Sequence, residues 1–166
     1  MLQNDSRKVK LGDTFIAIKG IKNDGHAYVM EAIKNGVSKV IVEDGIYPNM
    51  IKVDNTNIYL HNFVKEKYLP IVKNLKLIGI TGTNGKTTTA YLTYQALNKL
   101  NIKCAYIGTI GFYINDNIKD NINTTPDILS LYHMLIECVR NNIEYVVMEV
   151  SSQGLFYNRV DGLLFD

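Results

Sequence analysis

The chain has 166 residues, of which 46% are hydrophobic and 20% charged, and its formal net charge is +2. That balance excludes a disordered tail, and the scattered lysines and arginines give no argument for nucleic acid as a partner. The opening residues Met1–Arg7 lack a secretory apolar stretch, and no apolar run approaches the roughly 20 residues of a membrane-crossing helix. The expected location is therefore the cytoplasm, with no membrane partner.

In chain order, Thr14–Ile18 is a short apolar run that reads as a strand. His26–Asn35 carries apolar residues at helical spacing and stops at Gly36, a suitable C-terminal cap. Lys39–Val42 reads as a buried strand and Ile51–Val53 as a weaker one. Asn57–Leu69 fits a helix ended by Pro70. Residues 71 to 75 look like a junction, so a small domain over residues 1–72 and a second over 73–166 are expected.

Beyond the junction the alternation strengthens. Leu77–Ile80 is a strand, and Lys86–Leu100 is a helix with Ala90, Leu92, Ala96, Leu97 and Leu100 expected to face inward, and its Tyr91-Leu92-Thr93-Tyr94 stretch reads as core packing. Cys104–Ile107 is a strand, and residues 110 to 122 suit a hairpin around Asn115-Asp116-Asn117. Pro126 is expected to open a helix to about Arg140. Tyr145–Val150 is an apolar strand, and Leu163–Phe165 begins another. Strands alternating with helices predict an α/β fold with a mostly parallel sheet, whose ligands sit at the carboxyl ends of the strands. The last strand has no helix after it, which suggests a domain cut short.

Two cysteines, Cys104 and Cys138, are too few for a disulfide framework or metal cluster, and read as buried free thiols. His26, His61 and His133 have no metal-ligand spacing and read as packing or surface residues.

The densest signal is Gly82-Thr83-Asn84-Gly85-Lys86-Thr87-Thr88, between a strand and a helix. Such a loop turns backbone N–H groups toward phosphate oxygens, and the helix N-terminus adds its positive dipole end. Lys86 would reach terminal phosphates, and the Thr87 hydroxyl would ligate Mg²⁺. The general pattern asks for glycine where Ile80 stands. Glu149 follows four apolar strand residues and should end near this loop, where a carboxylate can hold Mg²⁺; a surface glutamate ending a strand is the plainer alternative. Asn123, Thr124 and Thr125 precede a helix start, where capping is the better reading of these residues taken alone.

Residues 80 to 88 resemble the ATP loop of the Mur ligases and their folylpolyglutamate synthetase relatives, in which the shifted glycine is usual. Asn123-Thr124-Thr125-Pro126-Asp127 and Met148–Leu155 resemble the family's tripeptide-synthetase branch (the MurE type). Asp5–Asp13 with Gly20–Tyr28 resembles that branch's UDP-sugar-binding N-terminal domain. The resemblance implies a small UDP-binding α/β domain followed by the first part of a P-loop ATP-binding domain. It implies catalytic Lys86 and Glu149, with Thr87 and Glu149 on Mg²⁺. It further implies substrate contacts from Ser6, Asn123, Thr124, Thr125, Ser151 and Arg159, with the loop from Gly20 to Asp24 lining the uridine pocket. Gln153 and Tyr157 depart from the family pattern, so no contact is carried over to them.

The activity so implied is ATP-dependent addition of an amino acid, meso-diaminopimelate or L-lysine, to UDP-MurNAc-L-Ala-D-Glu through an acyl phosphate during peptidoglycan synthesis. A monomer is expected. The family's carbamylated lysine and amino-acid-selecting motif lie further downstream, so this stretch alone is expected to be inactive. The alternatives are a MurF-type or other ligase of the superfamily, and a non-catalytic module binding UDP-muramyl peptide or nucleotide.

Overall fold

A computed structural model describes residues 1–20, 23–115, 117–121 and 123–166. The chain divides into two compact units, Met1–Phe63 and Val64–Asp166.

The first unit is built on four short parallel strands in the order β1 (Leu2–Gln3), β2 (Thr14–Ile16), β3 (Lys39–Val42) and β4 (Met50–Lys52). A 3₁₀ turn over Gly25–Tyr28 runs into α1 (Val29–Lys34), which ends where Gly36 adopts a positive φ. Phe15, Ala17, Val40 and Val42 from the strands pack on Val29 and Ala32 of α1. These β-branched and aromatic strand residues bury against one helix stripe, the minimum a two-layer core requires. The unit closes with α2 (Thr56–Phe63).

Pro70 does not end the helix as its position suggests. Residues Val64–Tyr68 widen into a π-helical turn, and α3 (Leu69–Val72) follows with Pro70 in its first turn, where a missing N–H costs no helical bond. Val64, Tyr68 and Val72 are buried in the second unit, which is why residues 64–72 belong with it.

In the second unit the sheet order is β5 (Lys76–Ile80), β9 (Tyr145–Glu149), β6 (Cys104–Gly108), β7 (Gly111–Ile114) and β8 (Asn117–Lys119). The β5–β9 and β9–β6 ladders are parallel, and β6–β7 and β7–β8 are antiparallel. The expected hairpin is thus β7–β8; its Asp116 lies outside the described residues, as does Ile122. The crossover from β5 to β6 is α4 (Lys86–Lys99), and α5 (Ile128–Arg140) precedes β9.

The inward face of α4 matches expectation at Ala90, Leu97 and the tyrosines, and differs at Leu92, Ala96 and Leu100. Ala90 is buried, and Tyr91, Tyr94 and Leu97 pack on Cys104, Tyr106 and Val147. Leu92 and Leu100 are 58% and 70% exposed, and Ala96 is exposed too. Tyrosine rings at spacing 91, 94, with Ala90 and Leu97, outweigh the leucines, since each ring buries more area and forms edge-to-face pairs with Tyr106 and Tyr113. The start of α5 also shifts. Asp127 is its N-cap, accepting the Ser130 N–H at 3.1 Å, so Pro126 stands just outside the helix. Finally, residues 163–166 form no strand; the Asp166 N–H reaches the Leu77 carbonyl at 2.9 Å, and the Phe165 ring sits over Gly79.

Cys104 and Cys138 are buried free thiols. Burial pushes the Cys104 thiol up to about 12 and raises that of Cys138 as well, which leaves both protonated and unreactive.

Candidate phosphate and cation site

Strand register decides what meets at the carboxyl end of the second sheet. Ile80 of β5 pairs with Glu149 of β9, and Ile107 of β6 pairs with Met148. The loop after β5, the Glu149 side chain and the Gly108-Thr109 turn therefore leave the sheet at one edge, where a doubly wound fold binds ligands.

The loop is exposed over Thr81–Gly85. Gly82 and Gly85 hold φ of 144° and 78°, which side chains with a Cβ rarely adopt. Gly85 is the N-cap of α4 and carries no side chain to occupy the first-turn N–H groups, whereas Asp127 and Ser151 cap α5 and α6 (Ser152–Phe156) with side-chain oxygens. Lys86 folds back over the loop, donating to the Gly82 carbonyl at 2.6 Å and the Thr83 carbonyl at 3.3 Å. Thr83, Asn84 and Thr88 complete the exposed rim.

Glu149 is fully buried, with 0% exposure, and each of its carboxylate oxygens is engaged. Oε1 accepts from the Tyr106 hydroxyl and from the Thr109 N–H at 2.9 Å. Oε2 accepts from the Thr87 hydroxyl at 2.9 Å and the Thr109 hydroxyl at 3.2 Å. Burial, then the bond to Glu149, raises the Tyr106 phenol above its usual range, so it remains a donor. A Cβ at Gly108 would collide with both the Tyr106 hydroxyl and Oε1, so glycine is what lets the carboxylate reach this position.

The donor set suits a small hard cation. Two oxygens at adjacent corners of an octahedron with bonds of about 2.1 Å lie about 3.0 Å apart. Thr87 Oγ1 and Glu149 Oε2 are 2.9 Å apart, so both could face one Mg²⁺ whose other positions go to water and phosphate oxygens.

The stretch before α5 joins this network. The Thr124 and Thr109 hydroxyls are 2.9 Å apart. Thr125 is buried; its hydroxyl donates to the Glu149 carbonyl at 2.9 Å and accepts the Ser151 N–H at 2.9 Å. The Ser151 hydroxyl accepts the Gly154 N–H, and Arg159 donates to the Thr125 carbonyl at 2.7 Å. Thr125 and Arg159 are therefore braces of the strand end, while Thr124 and the exposed Asn123 lie on its rim. Tyr157 stacks near the Arg159 guanidinium, 5.6 Å from ring centre to Cζ, and Gln153 is exposed on α6.

Ser6 belongs to the first unit. It is buried in a 3₁₀ turn capped by Asp5, and its hydroxyl donates to Glu31 at 2.8 Å. In the loop from Gly20 to Asp24, the Gly20 N–H bonds the Asn23 carbonyl at 2.9 Å; Ile21 and Lys22 lie outside the described residues. His26 is a structural residue, its ring bonded to Asp24 and accepting the Glu43 N–H at 2.9 Å. Among the described residues no cluster of histidine, cysteine and carboxylate side chains forms a metal site, and no helix is long and apolar enough to cross a membrane.

Sequence reading missed Tyr106, Gly108 and Thr109. The available signal was position alone: Gly108-Thr109 ends a strand in a largely parallel sheet.

Two family models match the chain: "Mur ligase family, catalytic domain" over residues 1–83 and "Mur ligase middle domain" over residues 80–166. Among similar proteins, the UDP-N-acetylmuramoyl-L-alanyl-D-glutamate--2,6-diaminopimelate ligase of Caldanaerobacter subterraneus is 42% identical over 98% of the chain and 34% of its own length. The ligase of the same name from Clostridium perfringens is 38% identical, over 99% of the chain and 35% of its own length. A solved structure of a ligase of that name superposes with TM-score 0.77 at 30% identity, covering 99% of the chain and 34% of its own. MurF from Acinetobacter baumannii gives 0.64 at 29% identity, over 91% and 30%. The chain spans about a third of the length of the relatives it matches.

Proposed function

This chain belongs to the Mur ligase family, and from that premise we propose that it is the UDP- and ATP-binding portion of a cytoplasmic ligase that adds meso-diaminopimelate to UDP-MurNAc-L-Ala-D-Glu. The names of the similar proteins favour diaminopimelate over L-lysine. The observation that carries the chemistry is the Thr87–Glu149 pair at the root of a glycine-framed loop on a helix N-terminus.

Amide formation from a carboxylate at neutral pH needs an activated leaving group, and an acyl phosphate from the ATP γ-phosphate supplies one. The backbone N–H groups of Gly82–Lys86 and the start of α4 bind phosphate oxygens. Lys86 exchanges the Gly82 and Thr83 carbonyls for the terminal phosphate and offsets charge on the transferring group. Thr87 and Glu149 hold Mg²⁺, which neutralises phosphate charge when bound. Asn123 and Thr124 meet the muramyl peptide. Ser6 and the loop from Gly20 to Asp24 bind the uridine end, whose remote binding energy positions the reacting carboxylate. Arg159, Thr125 and Ser151 keep the end of β9 in register with this chemistry.

The test is turnover by the full-length protein with ATP, UDP-MurNAc-L-Ala-D-Glu and either amino acid. Release of ADP and a new UDP-muramyl tripeptide dependent on meso-diaminopimelate is expected. ADP release coupled to neither amino acid would overturn the reading.

A further inference from the structure

Tyr106 is an unusual strand residue. Its ring is fully buried among Tyr91 and Tyr94 of α4 and Tyr113 of β7, with centroid distances of 5.5–6.2 Å. The ring packs against these three neighbours, and its hydroxyl donates to Glu149 Oε1. The Thr109 N–H, fixed by the turn after β6, reaches the same oxygen at 2.9 Å. Oε1 is thus held by two donors anchored in the fold. Among the described residues, Oε2 is held by the hydroxyls of Thr87 and Thr109, which rotate about their C–O bonds.

Resting on the proposed Mg²⁺ role of Glu149, we infer that Tyr106 is a positioning residue that makes Glu149 a one-oxygen ligand: it occupies Oε1, so that only Oε2, beside Thr87 Oγ1, faces the cation. This arrangement selects by size and coordination. Mg²⁺ takes single carboxylate oxygens in a tight octahedron, whereas Ca²⁺ gains from bidentate carboxylates in a looser shell. Removing the Tyr106 hydroxyl frees Oε1, loosens the carboxylate and relaxes the preference for Mg²⁺.

The experiment titrates Mg²⁺ and Ca²⁺ separately into full-length protein with ADP, reading nucleotide affinity by calorimetry, for wild type, Tyr106→Phe and Tyr113→Phe. Loss of an outer partner of a metal ligand weakens the metal by about tenfold or more. Tyr106→Phe should therefore raise the Mg²⁺ concentration needed for tight ADP binding roughly tenfold, with a smaller loss for Ca²⁺. Affinity for ADP without metal should stay unchanged, and Tyr113→Phe, which alters the same ring cluster without touching Glu149, should behave as wild type. Wild-type Mg²⁺ dependence in Tyr106→Phe would overturn the inference, and so would equal losses for both cations in both variants. Should Tyr106→Phe not fold, wild type still decides: Ca²⁺ supporting ADP binding as well as Mg²⁺ would overturn one-oxygen ligation. ADP binding by wild type that ignores both cations would instead sink the underlying metal reading.

Discussion

In the first unit the buried polar side chains, Ser6, Asp13 and Thr56, are spread over separate short elements; in the second, Glu149 and Thr125 meet at the end of one strand. Asp13 takes the N-terminal ammonium at 2.7 Å and the Lys10 N–H at 3.0 Å. Asp5 and Asp24 cap 3₁₀ turns, and Glu43 receives both the N–H and hydroxyl of Thr56. Glu149, by contrast, has no exposure and takes four hydrogen bonds from three residues. A charge at a rim can be lost to water at little cost, while a buried group stripped of a partner pays its desolvation in full. The second unit thus gathers its buried polarity around one fixed carboxylate and its brace, and leaves the adjoining glycine loop exposed.

The sharpest separation is expected at Lys86. Its ammonium bonds only loop carbonyls, so Lys86→Ala should lower turnover of the full-length protein by about 10²- to 10³-fold, the scale for removing one donor from a developing charge. The thermal midpoint should stay within about 2 °C of wild type, as for surface changes generally. A large fall in the midpoint would show that the loop shares in the cohesion of the core, and would erase the distinction within the second unit.

Next in size is the brace behind Glu149. Thr125→Val keeps the shape but leaves the Glu149 carbonyl and the Ser151 N–H without their partner. At about 1–3 kcal/mol for each of the two buried orphans, a loss of about 2–6 kcal/mol is expected in denaturant unfolding. The matching change in the first unit is Ser6→Ala, which removes one bond to Glu31 and should cost about 1 kcal/mol. Equal costs would break the comparison of the two units. Smaller still is Asp5→Ala, which loses a turn cap and an exposed bond to Arg7, and should cost about 0.5–1 kcal/mol in the same measurement.

How much of this was readable from sequence follows from whether the determinants are local. The glycine loop before α4 was legible because Gly82 to Thr88 are contiguous and the positive φ of Gly82 and Gly85 is a local backbone requirement. Glu149 was legible as a strand end. Its partners were not: Tyr106 sits in an apolar run and reads as core, and its hydroxyl meets a carboxylate 43 residues away. That pairing exists because β9 inserts between β5 and β6, a choice of strand order that periodicity does not encode. On α4 the sequence placed Ala90, Leu97 and the Tyr91–Tyr94 stretch in the core correctly, and erred at Leu92, Ala96 and Leu100, because the rings of Tyr91 and Tyr94 set the rotation of the helix. Thr125 and Arg159 show a further limit: the backbone brace that their atoms form was not readable from a pattern that pointed to substrate.

The smallest effect, spread over several groups, is the response of the first unit to acid. Hydrogen bonding to Arg7 holds Asp5 below the usual carboxylate range, bonds from His26 do so for Asp24, and bonds from Thr56 do so for Glu43. At Asp13 burial opposes ionisation, yet the N-terminal ammonium and the Lys10 N–H prevail and the carboxyl is again lowered. A carboxylate with a depressed folded value contributes stability that is fully present above its unfolded value, near 4, and is lost as pH falls through the folded value. Stability of the first unit should therefore be flat from pH 7 to about 5 and decline below about pH 4. Amide hydrogen exchange followed in β1, β2 and β3 down a pH series, corrected for intrinsic rates, would show protection falling there. Raised salt should shrink the effect, because these pairs are partly exposed and screened. Protection in β1–β3 that holds unchanged to pH 3 would mean the rim carboxylates contribute nothing, and that the first unit stands on its Phe15–Val40 core alone.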